Sequence, residues 1–114
     1  MIKLEIDKNS DMVYELLELL KANRLNDIQK SKIYEIVKSL TNRTEKQKES
    51  FFMFYNLLDG ENQNYRLCDM ARYYNCTPSN VRCLINRIRN SLINTSEENM
   101  SIIENILKEY HNEN

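Results

Sequence analysis

Glycine and proline occur once each in this 114-residue chain, at Gly60 and Pro78. Tight hairpins lean on glycine for positive φ, so their scarcity argues against a turn-rich sandwich or barrel and favours helices. Tryptophan is absent, and the lone histidine, His111, lies within a few residues of the C-terminus, which argues against histidine catalysis. The three cysteines, Cys68, Cys76 and Cys83, have seven and six residues between them. That spacing fits neither a disulfide framework nor a paired C-x-x-C zinc site, so reduced thiols are expected. No apolar run is long enough to span a bilayer, and the opening MIKLEIDKNSD has no small-residue cleavage site. A cytosolic chain without a membrane partner is expected. There is no glycine-rich phosphate loop and no evident pair of nucleophile and base, so neither enzymatic activity nor a cofactor is expected. The acids Asp7, Asp11, Glu15 and Glu18 mark the outer face of a first helix without the convergence a metal needs.

What the chain does have is 41% hydrophobic and 29% charged residues, the balance of one soluble globular domain. The net charge is only −1, but its distribution is uneven. Residues 1–40 hold seven basic and seven acidic side chains, residues 41–94 eight and five, and residues 95–114 one and five. A basic middle beside an acidic tail is the pattern expected when one face of a small domain approaches phosphate.

Hydrophobic spacing predicts an all-α domain of about five to six helices. Ile2, Leu4 and Ile6 alternate with polar residues, as in a short edge strand or an extended arm. Val13, Leu16, Leu17 and Leu20 then form the stripe of a first helix, and an Asn26–Gln29 capping box opens a second carrying Ile33, Ile36, Val37 and Leu40. Residues 1–40 thus read as a helical hairpin suited to packing or dimerisation. Thr44 and Gln47 open a third helix, about 44–58, with Phe51, Phe54, Tyr55 and Leu58 inward and Gly60 closing it. The polar stretch 59–65 is a loop. A short helix, about 66–74, follows and stops at Asn75. Thr77 and Pro78 start a well-defined fifth helix, whose Val81, Leu84, Ile85, Ile88 and Leu92 face inward. Thr95 and Glu98 cap a last, acidic helix over 95–114.

The informative segment is RLCDMARYYNCTPSNVRCLINRIRNSL, residues 66–92. A short helix, a three-residue turn and a longer helix have helix-turn-helix spacing. Ala71 is small where the two helices cross, Cys76 takes the turn position that plugs the core, and Val81 and Leu84 anchor the second helix. Its polar face would enter a major groove. Arg82, Asn86 and Arg89 are spaced by four and three residues, so they share a direction. Arg82, Arg87 and Arg89, with no acid between Val81 and Leu92, suit phosphate and guanine contacts. Ser79, Asn80 and Asn86 suit adenine or phosphate, and Arg66 and Arg72 the flanking backbone. Lys46 and Lys48 read as solubilising charge. Phe51, Phe52, Phe54 and Tyr55 read as core rather than a stacking platform.

Here the chain resembles region 4 of the sigma-70 family of bacterial transcription initiation factors. The resemblance runs from Leu40-Thr41-x-Arg43 to Leu92, roughly half the chain, and residues 81–92, VRCLINRIRNSL, are similar to the pattern of the family's smaller members. It implies that residues 41–94 bind double-stranded DNA as a lone region-4-like domain, with contacts from Pro78, Ser79, Asn80, Arg82, Cys83 and Arg87. It also implies RNA polymerase as a partner. Asn75 stands where the family has a turn glycine, and Pro78, Ser79 and Cys83 replace residues that read bases in primary sigma factors. These 114 residues leave no room for the domain that melts promoters, so a lone domain rather than a complete sigma factor is expected. A single such module buries only about 600–1,000 Å² on DNA, so a homodimer or polymerase contact is expected to supplement it. The competing readings are an adaptor that grips RNA polymerase or a sigma factor without reading DNA and, less favoured by the motif's position, a phage DNA-packaging subunit.

Overall fold

The computed structural model describes residues 2–58 and 64–113, with side chains over 8–58 and 64–112. Six helices account for most of it: α1 (Ile2–Lys21), α2 (Asp27–Lys38), α3 (Glu45–Phe54), α4 (Leu67–Tyr74), α5 (Pro78–Ile93) and α6 (Glu97–Glu113). No strand occurs among the described residues. The expected edge strand or arm at Ile2, Leu4 and Ile6 is instead the first turns of α1. Ile2 and Ile6 are also four apart, a helical spacing, and neither glycine nor proline interrupts the run to Lys21.

Local signals set most of the helix starts. Asn26 and Gln29 form a reciprocal capping box on α2, as Thr44 and Gln47 do on α3. The Thr77 side chain accepts from the Asn80 amide, with Pro78 in the first turn of α5. At α6 the cap is Ser96, whose hydroxyl accepts from the Asn99 backbone N–H, rather than the expected Thr95. Thr95 Oγ1 takes the Asn99 side-chain amide at 2.9 Å.

Several helix ends are made by asparagine. Asn23, Asn56 and Asn75 have φ of 58°, 60° and 54°, the left-handed region in which many helices stop, whereas α2 and α5 end at Ser39 and Asn94 with negative φ. The amides of Arg24, Leu57 and Cys76 then reach back to the carbonyls of Leu19, Phe52 and Ala71. This shortens α3 relative to the sequence reading, which carried it to Leu58. Leu58 is 42% exposed, and Leu57 is the buried residue instead. The expected stop at Gly60 lies outside the described residues, as do residues 59–63 of the polar loop.

One continuous core joins all six helices, from Val13, Leu16 and Leu20 through Phe51, Met70, Val81 and Ile88 to Ile103 and Ile106. The tightest pairing is α3 with α5, followed by α4 with α5. The aromatic group of α3 packs as expected: Phe51 and Phe52 are buried, Phe52 stacks on Tyr34 of α2 at 4.5 Å, and Phe54 and Tyr55 lie against the core. The C-terminal α6 packs on both α1 and α2, and α1 also packs on α5. The first two helices therefore do not close on each other as the expected hairpin: α1 packs on α5 and α6, and α2 on α3 and α6.

Candidate nucleic-acid interface

The α4–turn–α5 unit is held from below. Ala71 and Val81 are buried where the helices meet, and Cys76, in the three-residue turn, packs partly buried against the core. The Cys76 amide donates to the Ala71 carbonyl at 2.9 Å, which fixes the turn before Thr77 caps α5. Further fastenings come from outside the unit. The Arg43 guanidinium donates to Ser91 Oγ at 2.6 Å, tying the entry to α3 onto the last turns of α5. The Tyr74 hydroxyl donates to the Glu49 carboxylate at 2.6 Å, tying α4 to α3. Burial, and then the Glu49 carboxylate, hold the Tyr74 phenol well above its ordinary pKa.

On this scaffold Pro78, Ser79, Asn80, Arg82, Cys83 and Arg87 are exposed along the first three turns of α5, and Asn86 is half-buried beside them. Among the described residues no acid pairs with Arg82 or Arg87, nor does any with the exposed Arg72 on α4. Arg66, exposed at the start of α4, forms an ion pair with Asp69 at 3.2 Å, and its guanidinium holds the Asp69 carboxyl below the usual carboxylate range.

Arg89 departs from the expected arrangement. It lies at the azimuth of Arg82 two turns along, but α1 covers that stretch of α5. Its guanidinium carbon sits 5.2 Å from the Tyr14 ring centroid, and its Nε is buried without a hydrogen-bond partner among the described residues. It also lies close enough to act as a positive charge on the half-buried Tyr55, whose phenol burial pushes up. Arg89 is therefore half-buried at the α1–α5 seam, with the Tyr14 ring beside its guanidinium.

The two lysines of α3 also differ from each other. Lys48 is buried, with its ammonium donating to the Lys38 carbonyl at 2.9 Å, so it closes the end of α2 and is not solubilising charge. Lys46 is exposed, 5.2 Å from the Tyr74 ring centroid. With Gln47, Cys76, Asn80, Cys83, Leu84 and Arg87 it lines a cleft of about 360 Å³ between α3 and α5. Sequence reading missed this cleft, because nothing local places the first turn of α3 beside the middle of α5.

All three cysteines are free thiols, with Cys68 and Cys83 exposed. No group of three or more metal-ligating side chains occurs among the described residues. No described helix is long and apolar enough to cross a membrane. No family model, curated protein or solved structure matches the chain.

Proposed function

We propose that this chain is a sequence-specific duplex DNA-binding transcription regulator that places the first three turns of α5 in a major groove, as a lone region-4-like helix-turn-helix domain. The observation that carries the reading is the exposed polar face Ser79, Arg82, Cys83 and Arg87, free of acid and presented from a capped helix N-terminus on a rigid base. A helix of this kind fits the groove, and Arg82 is suited to bidentate contact with guanine. Asn80 and Asn86 supply amides for adenine or phosphate, while Arg66 and Arg72 flank the face for backbone contacts. The short footprint calls for a second anchor, either another copy of the chain or RNA polymerase.

Fluorescence anisotropy of the full chain against randomised duplexes at two salt concentrations, followed by sequencing of the bound fraction, tests this. Salt-dependent binding with an enriched motif is the expected result, and a palindromic motif would assign the second anchor to a homodimer. Arg82→Ala should weaken binding to the selected duplex by about 1–3 kcal/mol and relax preference at one position. Failure to bind any duplex at low salt would overturn the reading. Retention of RNA polymerase in the same preparation would then assign the fold to a polymerase-binding adaptor.

A further inference from the structure

The exposed face of α5 has two edges with different surroundings. Along one edge lie Ser79, Arg82 and Asn86, and this edge ends where Tyr14 covers Arg89. Along the other lie Asn80, Cys83, Leu84 and Arg87, which form one wall of the cleft against α3. The opposite wall is Lys46 and Gln47, in the first turn of α3, and Cys76 of the turn lines the same cleft. Two cations on different helices thus border one cleft with the Asn80 amide beside them.

The surroundings keep these cations available. Gln47 is engaged as an acceptor for the Thr44 backbone N–H, so it serves as wall and cap. The Tyr74 ring supports the Lys46 ammonium at 5.2 Å, and the Tyr74 hydroxyl occupies Glu49, an acid on the same helix as Lys46. Glu45, also on α3, has neither ion pair nor side-chain hydrogen bond with Lys46 or Arg87. Lys48, two residues away, is withdrawn into the interior on the Lys38 carbonyl.

A cleft bordered by a lysine and an arginine on different helices matches a run of phosphodiesters better than a base edge, because the lysine ammonium is a point charge that carries no base pattern and the arginine fork fits a phosphate as well as it fits guanine. We propose that the α3–α5 cleft grips the phosphodiester backbone of one DNA strand between Lys46 and Arg87, leaving the Ser79, Arg82 and Asn86 edge to face the bases. This rests on the duplex-binding function proposed above and adds α3 to the interface. It also divides the cations of α5 by role: Arg87 holds and Arg82 reads.

The test uses the full chain with a duplex selected from the random pool and a scrambled duplex of equal length, titrated over a series of salt concentrations. Lys46→Gln and Arg87→Gln should each lower the log–log salt slope by about 0.9 and weaken both duplexes by the same factor. Lys46→Arg, which keeps the charge, should restore the wild-type slope. Arg82→Gln should instead change the ratio between the two duplexes. All three glutamine variants alter exposed side chains, and a thermal melt of each checks that the fold persists. Wild-type slopes in Lys46→Gln and Arg87→Gln, or a changed ratio between the two duplexes, would overturn the cleft assignment while leaving duplex binding intact. No binding of either duplex by the wild-type protein would overturn both proposals together.

Discussion

Asn75 sits at φ 54° between α4 and α5, a conformation that costs most L-residues about 1–2 kcal/mol and asparagine less. Replacing it with alanine should therefore destabilise the fold by about 1 kcal/mol, while Asn75→Gly should leave it nearly unchanged, as read from urea unfolding midpoints. Its role was legible because Thr77 and Pro78 announce a new helix immediately afterwards. Asn56 was not legible, because its amide meets Asn64, on the far side of the loop, and no local pattern marks that pairing. Lys21 hid in the same way. Its ammonium donates to the Phe54 carbonyl at 2.7 Å and the Tyr65 carbonyl at 3.2 Å, and burial lowers its pKa. Lys21→Met should cost about 1–3 kcal/mol by leaving those carbonyls without their donor, measurable by the same unfolding assay. In base, the sign follows from Tyr55 and Tyr74, both raised above 10.0, chiefly by burial. Above pH 10 the unfolded chain releases phenolic protons that the fold retains, so these groups make stability fall as pH rises. Lys21 acts oppositely between its lowered value and 10.5, where the unfolded chain keeps the proton longer. Urea midpoints from pH 8 to 11 should show a smaller decline in Tyr55→Phe and Tyr74→Phe than in the wild type.

At the scale of the element, α5 was the easiest helix to read and the easiest to over-read. Its boundaries, cap and inward stripe follow from Thr77, Pro78 and the spacing of Val81, Ile85, Ile88 and Leu92, whereas Leu84, expected inward as an anchor, is half-buried on the cleft wall because it lies at the edge of that stripe. Helical periodicity also gives Arg82 and Arg89 the same azimuth correctly. It does not say which helix lies over that azimuth further along, and the Tyr14 ring settles the matter for Arg89. Arg89→Ala should consequently leave the salt slope of duplex binding at its wild-type value, in contrast to the loss expected for Arg87→Gln. Parallel anisotropy titrations separate the two. α3 teaches the complementary lesson: Lys46 and Lys48 look alike in sequence, yet one faces the cleft and the other closes α2, because a two-residue step turns a helix by about 200°.

For the whole molecule, the all-α class was legible from glycine scarcity and periodicity, whereas the way the pieces share a core was not. Residues 41–94 are the span proposed to bind DNA, but their helices rest on residues outside it. Met100, Ile103, Ile106 and Leu107 of α6 and Val13, Leu16 and Leu20 of α1 belong to the same buried cluster as Phe51 and Ile88. A chain ending at residue 94 should therefore lose its cooperative thermal transition, monitored by circular dichroism, rather than melt a few degrees early. The arrangement of charge around that core has a kinetic consequence as well. α6 carries five glutamates against one lysine, α5 carries three arginines and no acid, and α1 packs against both. The resulting separation of charge gives the molecule an electric moment, so a polyanion exerts a torque on it before any contact is made. For the duplex partner proposed above, encounters are then expected to be biased toward the α5 side, with a pre-orientation that fades as ionic strength shortens the reach of the field.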